Sequence, residues 1–240
     1  MSFFEKQWKL IVGVCLVIFV VGAAAVIRST VSLSHEKKLQ ENFYMIEKKY
    51  TEYKTKKNKP AESEATKSAK KTDPKDVEIT PAALAELKTQ VQADLEKFIS
   101  DNPGAKATQM AAIYDAEILK EDKKSDQALV VLQKVQNSDH GLVNTLVQQQ
   151  IGQMLANLDK CQEAISSWQK ILDRKEAEFL HNDVRIQQAL CYQKLNDTKK
   201  AEELLTNIAN QKTDGRSDSS STKEAARYLR LIQFKKVSGT

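Results

Sequence analysis

Three histidines, three cysteines, four prolines and seven glycines are all that this 240-residue chain offers of the residue types that most often build metal centres, disulfide frameworks, tight turns and phosphate loops. His35, His140 and His181 each stand alone, with no second His or Cys three to five residues away, so no metal site is expected. The glycines form no phosphate-cradling run, and no Ser sits in a nucleophile elbow. Acidic residues are plentiful but alternate with lysines, as a helix does to keep its outer face wet. No catalytic constellation, cofactor or small-molecule substrate is expected. Cys15, Cys161 and Cys191 make no framework. They read best as small apolar residues without a chemical role, a Cys161–Cys191 bridge in an oxidising compartment being the less favoured alternative. No segment alternates polar and apolar residues with β-branched enrichment, which argues against sheet.

With Gly and Pro scarce and Ala, Leu, Lys, Glu and Gln abundant, the chain is expected to be all-α. The stretch IGQMLANLDKCQEAISSWQKIL, Ile151 to Leu172, reads as two amphipathic helices joined by a tight turn. Its pattern recurs. Small residues stand at Ala116, Gly152, Ala189 and Ala226, spaced 36, 37 and 37 apart, and three residues after each comes Leu119, Leu155, Tyr192 or Leu229. The second helices repeat Ala128, Ala164 and Ala201, followed four residues later by Leu132, Trp168 and Leu205. Small residues let two helix backbones approach closely while the large ones fill the space beside the crossing. This is the grammar of a tetratricopeptide-like solenoid with a period slightly above the usual ~34 residues, the extra residues falling between hairpins.

Five segments follow. Residues 1–9 are a short tail. Leu10 to Ile27 runs eighteen residues without a charge, a length of roughly 27 Å at ~1.5 Å per residue, and is expected to be an uncleaved transmembrane helix. Trp8, Lys9 and Arg28 sit at its edges as interface anchors would. A cleaved signal peptide with Ala23–Ala25 at the cleavage site is the competing reading. Flanking charge does not set the orientation. Residues 28–57 form a juxtamembrane helix whose Leu39, Phe43, Ile46, Tyr50 and Tyr53 make a two-heptad seam. That seam suits either association with a partner or a helix laid on its own solenoid. Residues 58–78 are a Lys-rich flexible linker. Between Lys54 and Lys75 lie eight lysines and three acids, an excess of five that equals the net charge of the whole chain. The basic charge therefore belongs to this tether rather than to a nucleic-acid surface.

Residues 80–235 are the solenoid of about three repeats. Thr80 and Pro81 open a capping helix carrying Val91, Leu95 and Phe98, stopped at Asn102-Pro103-Gly104. Hairpins are expected over 106–136, 142–174 and 182–210, and a terminal helix over 222–235. First helices of such stacks line a groove. The register assigns Met110, Ile113, Glu117 and Lys120 to it, then Leu146, Gln149, Gln153 and Ala156, then Asp183, Ile186, Leu190 and Gln193. A lining of Met, Ile, Leu and Gln suits an apolar polypeptide segment.

The runs DLEKFISDNPGAKATQMAAIYDAEILKEDKKSDQALVVLQKV, ANLDKCQEAISSW and NDTKKAEELLTNI, within about Leu95 to Asn210, resemble the single-span ancillary subunit of the bacterial Sec translocon. The resemblance implies an inner-membrane anchor with its repeats in the periplasm. It also implies association with the translocon channel and a membrane-anchored periplasmic chaperone, and non-enzymatic help to newly exported chains. A scaffold organising an envelope complex, in cell division or outer-membrane assembly, is the alternative.

Overall fold

The computed structural model describes residues 37–58, 80–136, 141–211 and 220–238. The apolar run 10–27 and most of the Lys-rich segment lie outside these residues, and with them the expectations of a span and a linker. The chain divides into two compact units, Met1–Lys48 and Lys49–Thr240. Every described element is helical; among the described residues there is no strand, and no helix is long and apolar enough to cross a membrane. Helix α1 covers residues 37–58. In its first twelve residues, which belong to the first unit, Tyr44 and Met45 are exposed.

The second unit is a succession of helix pairs. Helix α2 (Pro81–Asp101) starts where a capping residue permits it: the Thr80 hydroxyl accepts from the Ala83 amide at 3.2 Å, and Pro81 follows at the first helical position. Its Val91, Leu95 and Phe98 are buried. Next come α3 (Lys106–Glu121) and α4 (Ser125–Val135), then α5 (Leu142–Asn157) and α6 (Cys161–Leu172). A 3₁₀ turn, Lys175–Ala177, leads into α7 (Glu178–Lys194), which starts four residues before the expected Asn182. Helices α8 (Thr198–Ala209) and α9 (Ser220–Ser238) complete the unit. Each of α2 to α9 packs on its neighbour in sequence, and α3 also meets α5, α5 meets α7, and α7 meets α9. That alternate-helix contact is what makes successive pairs pile on one another.

The repetition is visible in the backbone of the turns. Lys123, Asp159 and Asn196 stand at equivalent positions and all have positive φ, at 61°, 58° and 63°. The amide after each closes the preceding helix in the same way: Lys124 to the Leu119 carbonyl, Lys160 to Leu155 and Asp197 to Tyr192, each at 2.9 Å. A second bond joins Lys123 to Lys120, Asp159 to Ala156 and Asn196 to Gln193. These are Schellman closures, in which a left-handed residue lets the chain satisfy two orphan carbonyls before reversing. All three intra-hairpin turns are thus three residues long, and the variable length falls between hairpins, as expected from the period.

Packing follows the small residues. Ala116, Ala128, Gly152, Ala164, Ala189 and Ala201 are all buried, and Ala226 is half-buried. At Gly152 the requirement is strictest. A Cβ there would fall about 2.5 Å from Cδ1 of Trp168, so only a hydrogen fits beneath the indole. Trp168 is buried and donates its Nε1–H to the Gln149 carbonyl at 3.2 Å, which fixes the ring across α5. Buried amides reach backbone carbonyls on neighbouring helices, in one case within a hairpin and in the other between hairpins. Gln109 Nε2 donates to the Val135 carbonyl at 3.1 Å, and Gln188 Nε2 to Ile165 at 3.2 Å. His181 Nε2 lies 3.2 and 3.0 Å from the Ile171 and Arg174 carbonyls. Since both can only accept, that nitrogen carries the proton.

Two expectations are corrected here. Cys161 and Cys191 form a disulfide, with Cα atoms 5.1 Å apart, joining the start of α6 to the later half of α7. Their role is therefore covalent and not merely space-filling. The terminal helix is longer than expected; Ala225 and Ile232 are buried in it, but Leu231 and Phe234 are exposed.

Substituting Gly152→Ala is expected to destabilise the unit by about 1–3 kcal/mol, the usual cost of forcing atoms into a filled core. Combining it with Trp168→Phe should recover part of that loss. Chemical denaturation of the two single variants and the double variant measures the coupling; strict additivity would show that the residues do not meet.

Candidate functional site

Helix α3 carries most of the chemistry among the described residues. Of the first-repeat groove residues, Met110 is half-buried against the core, Ile113 is only 6% exposed, and Glu117 is half-buried. Glu117 does not face open solvent. The Tyr50 hydroxyl donates to its Oε2, and Lys54 Nζ lies 3.7 Å away. One turn on, Glu121 receives Tyr53 Oη at 2.9 Å, Lys54 Nζ at 2.9 Å and Lys57 Nζ at 2.6 Å. The Tyr50 ring stacks on Tyr114 with centroids 4.3 Å apart, and Lys49 pairs with Asp94 of α2 at 2.7 Å. Residues 49–58 of α1 therefore lie against α2 and α3, on the stretch of α3 that the register gives to the groove.

The electrostatics are one-sided. Burial alone would raise the Glu121 carboxyl, but hydrogen bonds from Lys57, Lys54 and Tyr53 outweigh it and bring the pKa down to about 2. Tyr53 is pushed up to about 12 by burial and by its bond to Glu121. Tyr50 is driven higher still, by burial and then by Glu117. Lys54, although burial opposes its charge, is held above its ordinary value by Glu121 and Glu117.

Six residues earlier on the same helix the opposite holds. Asp115 is 0% exposed, and neither carboxylate oxygen has a hydrogen bond of normal geometry. Burial, then the charge of Glu96, raises its pKa to about 7; Gln92 and Lys134 oppose them weakly. A carboxyl so placed is kept protonated by its surroundings up to about pH 7. Sequence reading missed it, since an Asp beside Ala116 on an amphipathic helix looks like a boundary residue.

In the second repeat Leu146 packs on the core, and Gln149 and Gln153 are half-buried, with Gln153 bonded to Asn157 at 3.1 Å. In the third, Ile186 is 1% exposed and Leu190 half-buried; Asp183 is exposed and accepts from Ser221 of α9. Ile113 and Ile186 thus offer no surface to a partner: they are core residues, because the apolar stripe of each first helix is wider than the register assumes. The half-buried residues Leu146, Gln149, Gln153 and Leu190 remain as a surface of mixed apolar and amide character. Among the described residues no group of three metal-capable side chains converges. Neither a protein-family pattern nor any curated protein matches the chain.

The raised Asp115 carboxyl has a signed consequence. Its folded value lies above its unfolded one, so its contribution is complete below the unfolded value near 4 and is lost as pH rises through about 7. Replacing Asp115→Asn should remove this decline and stabilise the unit at pH 8 by an amount of order 1–3 kcal/mol. Denaturation midpoints at pH 5 and 8 measure it; a variant with the same pH slope as the parent would show that Asp115 ionises freely.

Proposed function

We propose that the helix pairs form a tetratricopeptide-like stack that binds polypeptides without catalysing a reaction, held at a bacterial inner membrane by the apolar run 10–27 and facing the periplasm. The observation that carries this reading is the threefold recurrence of one hairpin, with the same left-handed turn residue and the same small-residue crossing. Such stacks use the exposed faces of successive first helices to hold extended or helical segments. The Cys161–Cys191 bridge supports an oxidising compartment, because disulfides rarely persist where glutathione and thioredoxin keep thiols reduced. The run of eighteen uncharged residues supports a single span. Resemblance to the ancillary Sec translocon subunit supplies the finer reading: the chain stands beside the channel with a membrane-anchored chaperone and receives newly exported proteins.

Photo-crosslinking from Leu146, Gln149 and Leu190, in membranes solubilised with mild detergent, is expected to trap the channel, a chaperone and many exported chains. Capture of one or two stoichiometric partners of a division or outer-membrane assembly complex would instead establish the scaffold reading. No capture from any of the three positions would remove the groove.

The compartment has its own test. Alkylating free thiols in intact cells before lysis should leave Cys161 and Cys191 unmodified until a reductant is added. Recovery of both as alkylated thiols would place the repeats in a reducing compartment. The bridge closes a separation of 30 residues, so its loss in Cys161→Ser with Cys191→Ser should cost roughly 3–4 kcal/mol of unfolding free energy.

A further inference from the structure

We infer that the face of α3 formed by Tyr114, Glu117 and Glu121 is a binding site for amphipathic helices that present tyrosine and lysine at helical spacing, and that residues 49–58 of this chain are its resident, displaceable occupant. The fit rests on three kinds of contact. Tyr50 and Tyr53 lie three residues apart, so they project on one side of α1. Both rings are buried, one stacked on Tyr114, and each hydroxyl finds a separate carboxylate. Lys54 and Lys57 follow on the same side and converge on Glu121, while Lys49 reaches Asp94. The recognised pattern is thus Tyr-x-x-Tyr-Lys-x-x-Lys, read by aromatic stacking, two hydroxyl-to-carboxylate bonds and an acidic pair.

The ion pairs lie at the edge of the contact. Its lysines are about a third exposed, and ion pairs so placed contribute little each because water screens them. The segment is joined covalently to the repeats by the 21 residues 59–79, so it meets α3 at an intramolecular effective concentration. A partner helix carrying the same pattern must overcome that concentration. The first hairpin is therefore closed to weak ligands and open to those that match α1, while the second and third hairpins stay accessible. This occupancy does not depend on what the chain receives at the membrane.

The test uses the full chain in detergent micelles and a fluorescent synthetic peptide with the sequence of residues 37–58. Anisotropy titration is expected to give binding to the parent chain at least about tenfold weaker than binding to a chain whose own helix has been released. Release is achieved in two ways, by Tyr50→Ala with Tyr53→Ala, and by Lys54→Glu with Lys57→Glu, the second removing no buried ring. Adding Glu117→Lys and Glu121→Lys to either released chain should abolish peptide binding. Equal affinity for parent and both released chains overturns the resident occupant. Binding that survives charge reversal on α3 overturns the site. A parent chain that elutes as a dimer and becomes monomeric in the released variants overturns the intramolecular assignment, since the helix would then be supplied by a second copy.

Discussion

Everything in the repeat unit depends on how closely two helix backbones can cross. Trp168 is the bulkiest side chain at any of the second-helix positions, and the helix it lies on has Gly152 opposite it, where even one methyl group would overlap the ring. In the flanking hairpins the equivalent large residues are Leu132 and Leu205, and the small partners are Ala116 and Ala189. The size of the small residue is therefore matched to the size of the large one, glycine beneath the indole and alanine beneath leucine. Closely crossed pairs bury their own faces but leave the outer sides of both helices apolar, and only the next pair can cover those. Stacking follows from the crossing, and the alternate-helix contacts from α3 to α9 follow from stacking.

The parts of this that sequence made legible are those with a strict spatial demand. A small residue every 36 or 37 positions is rare enough to notice, and each marks a crossing. Thr80-Pro81 starts a helix for reasons confined to four residues, and α2 begins there. What sequence hid was chemistry that exists only after folding. Cys161 and Cys191 lie 30 residues apart in no recognisable framework. They meet because α6 begins where α7 passes, and nothing local reports that. Gln109 and Gln188 look like surface amides, yet each is buried and spends its amide on a carbonyl of an adjacent helix. Such groups are tolerated inside only because the partner is supplied. Ile113 and Ile186 failed as groove residues for a simpler reason: assigning a face from a repeat register presumes a narrow apolar stripe, and first helices packed on both sides bury a wider one.

Helix α1 shows a different limit. Its seam of Phe43, Ile46, Tyr50 and Tyr53 was plain in the sequence, but a seam specifies only that something apolar must cover it. Two heptads cannot choose between a second chain and the repeats that follow. The choice visible in residues 49–58 is made by charge and hydroxyl pairing: Lys54 and Lys57 need an acid, and the tyrosine hydroxyls need acceptors once their rings are buried. Glu117 and Glu121, one turn apart, supply both. The same residues that identified the helix as amphipathic thus also selected its surface, once a surface with two carboxylates at one-turn spacing existed.

That selection depends on α3 keeping its acids unlike one another. Glu121 is held charged to about pH 2 by three donors, so the anionic side of the helix persists across any physiological pH. Asp115, six residues earlier and turned inward, has no donor of good geometry, and burial keeps its carboxyl protonated up to about pH 7, where it begins to ionise. Were both charged, Asp115 would add an unscreened buried charge within the same helix and weaken the crossing on which the first hairpin is built. Were both neutral, α1 would lose the acids that distinguish α3 from every other first helix in the stack. The positions equivalent to Glu117 and Glu121 are Gln153 and Asn157 in α5 and Leu190 and Lys194 in α7, none of them acidic, so the first of these three helices is the one suited to a lysine-bearing partner. One helix therefore packs as though apolar on its inner side and binds as though acidic on its outer side, and the donors that Glu121 has and Asp115 lacks divide the two.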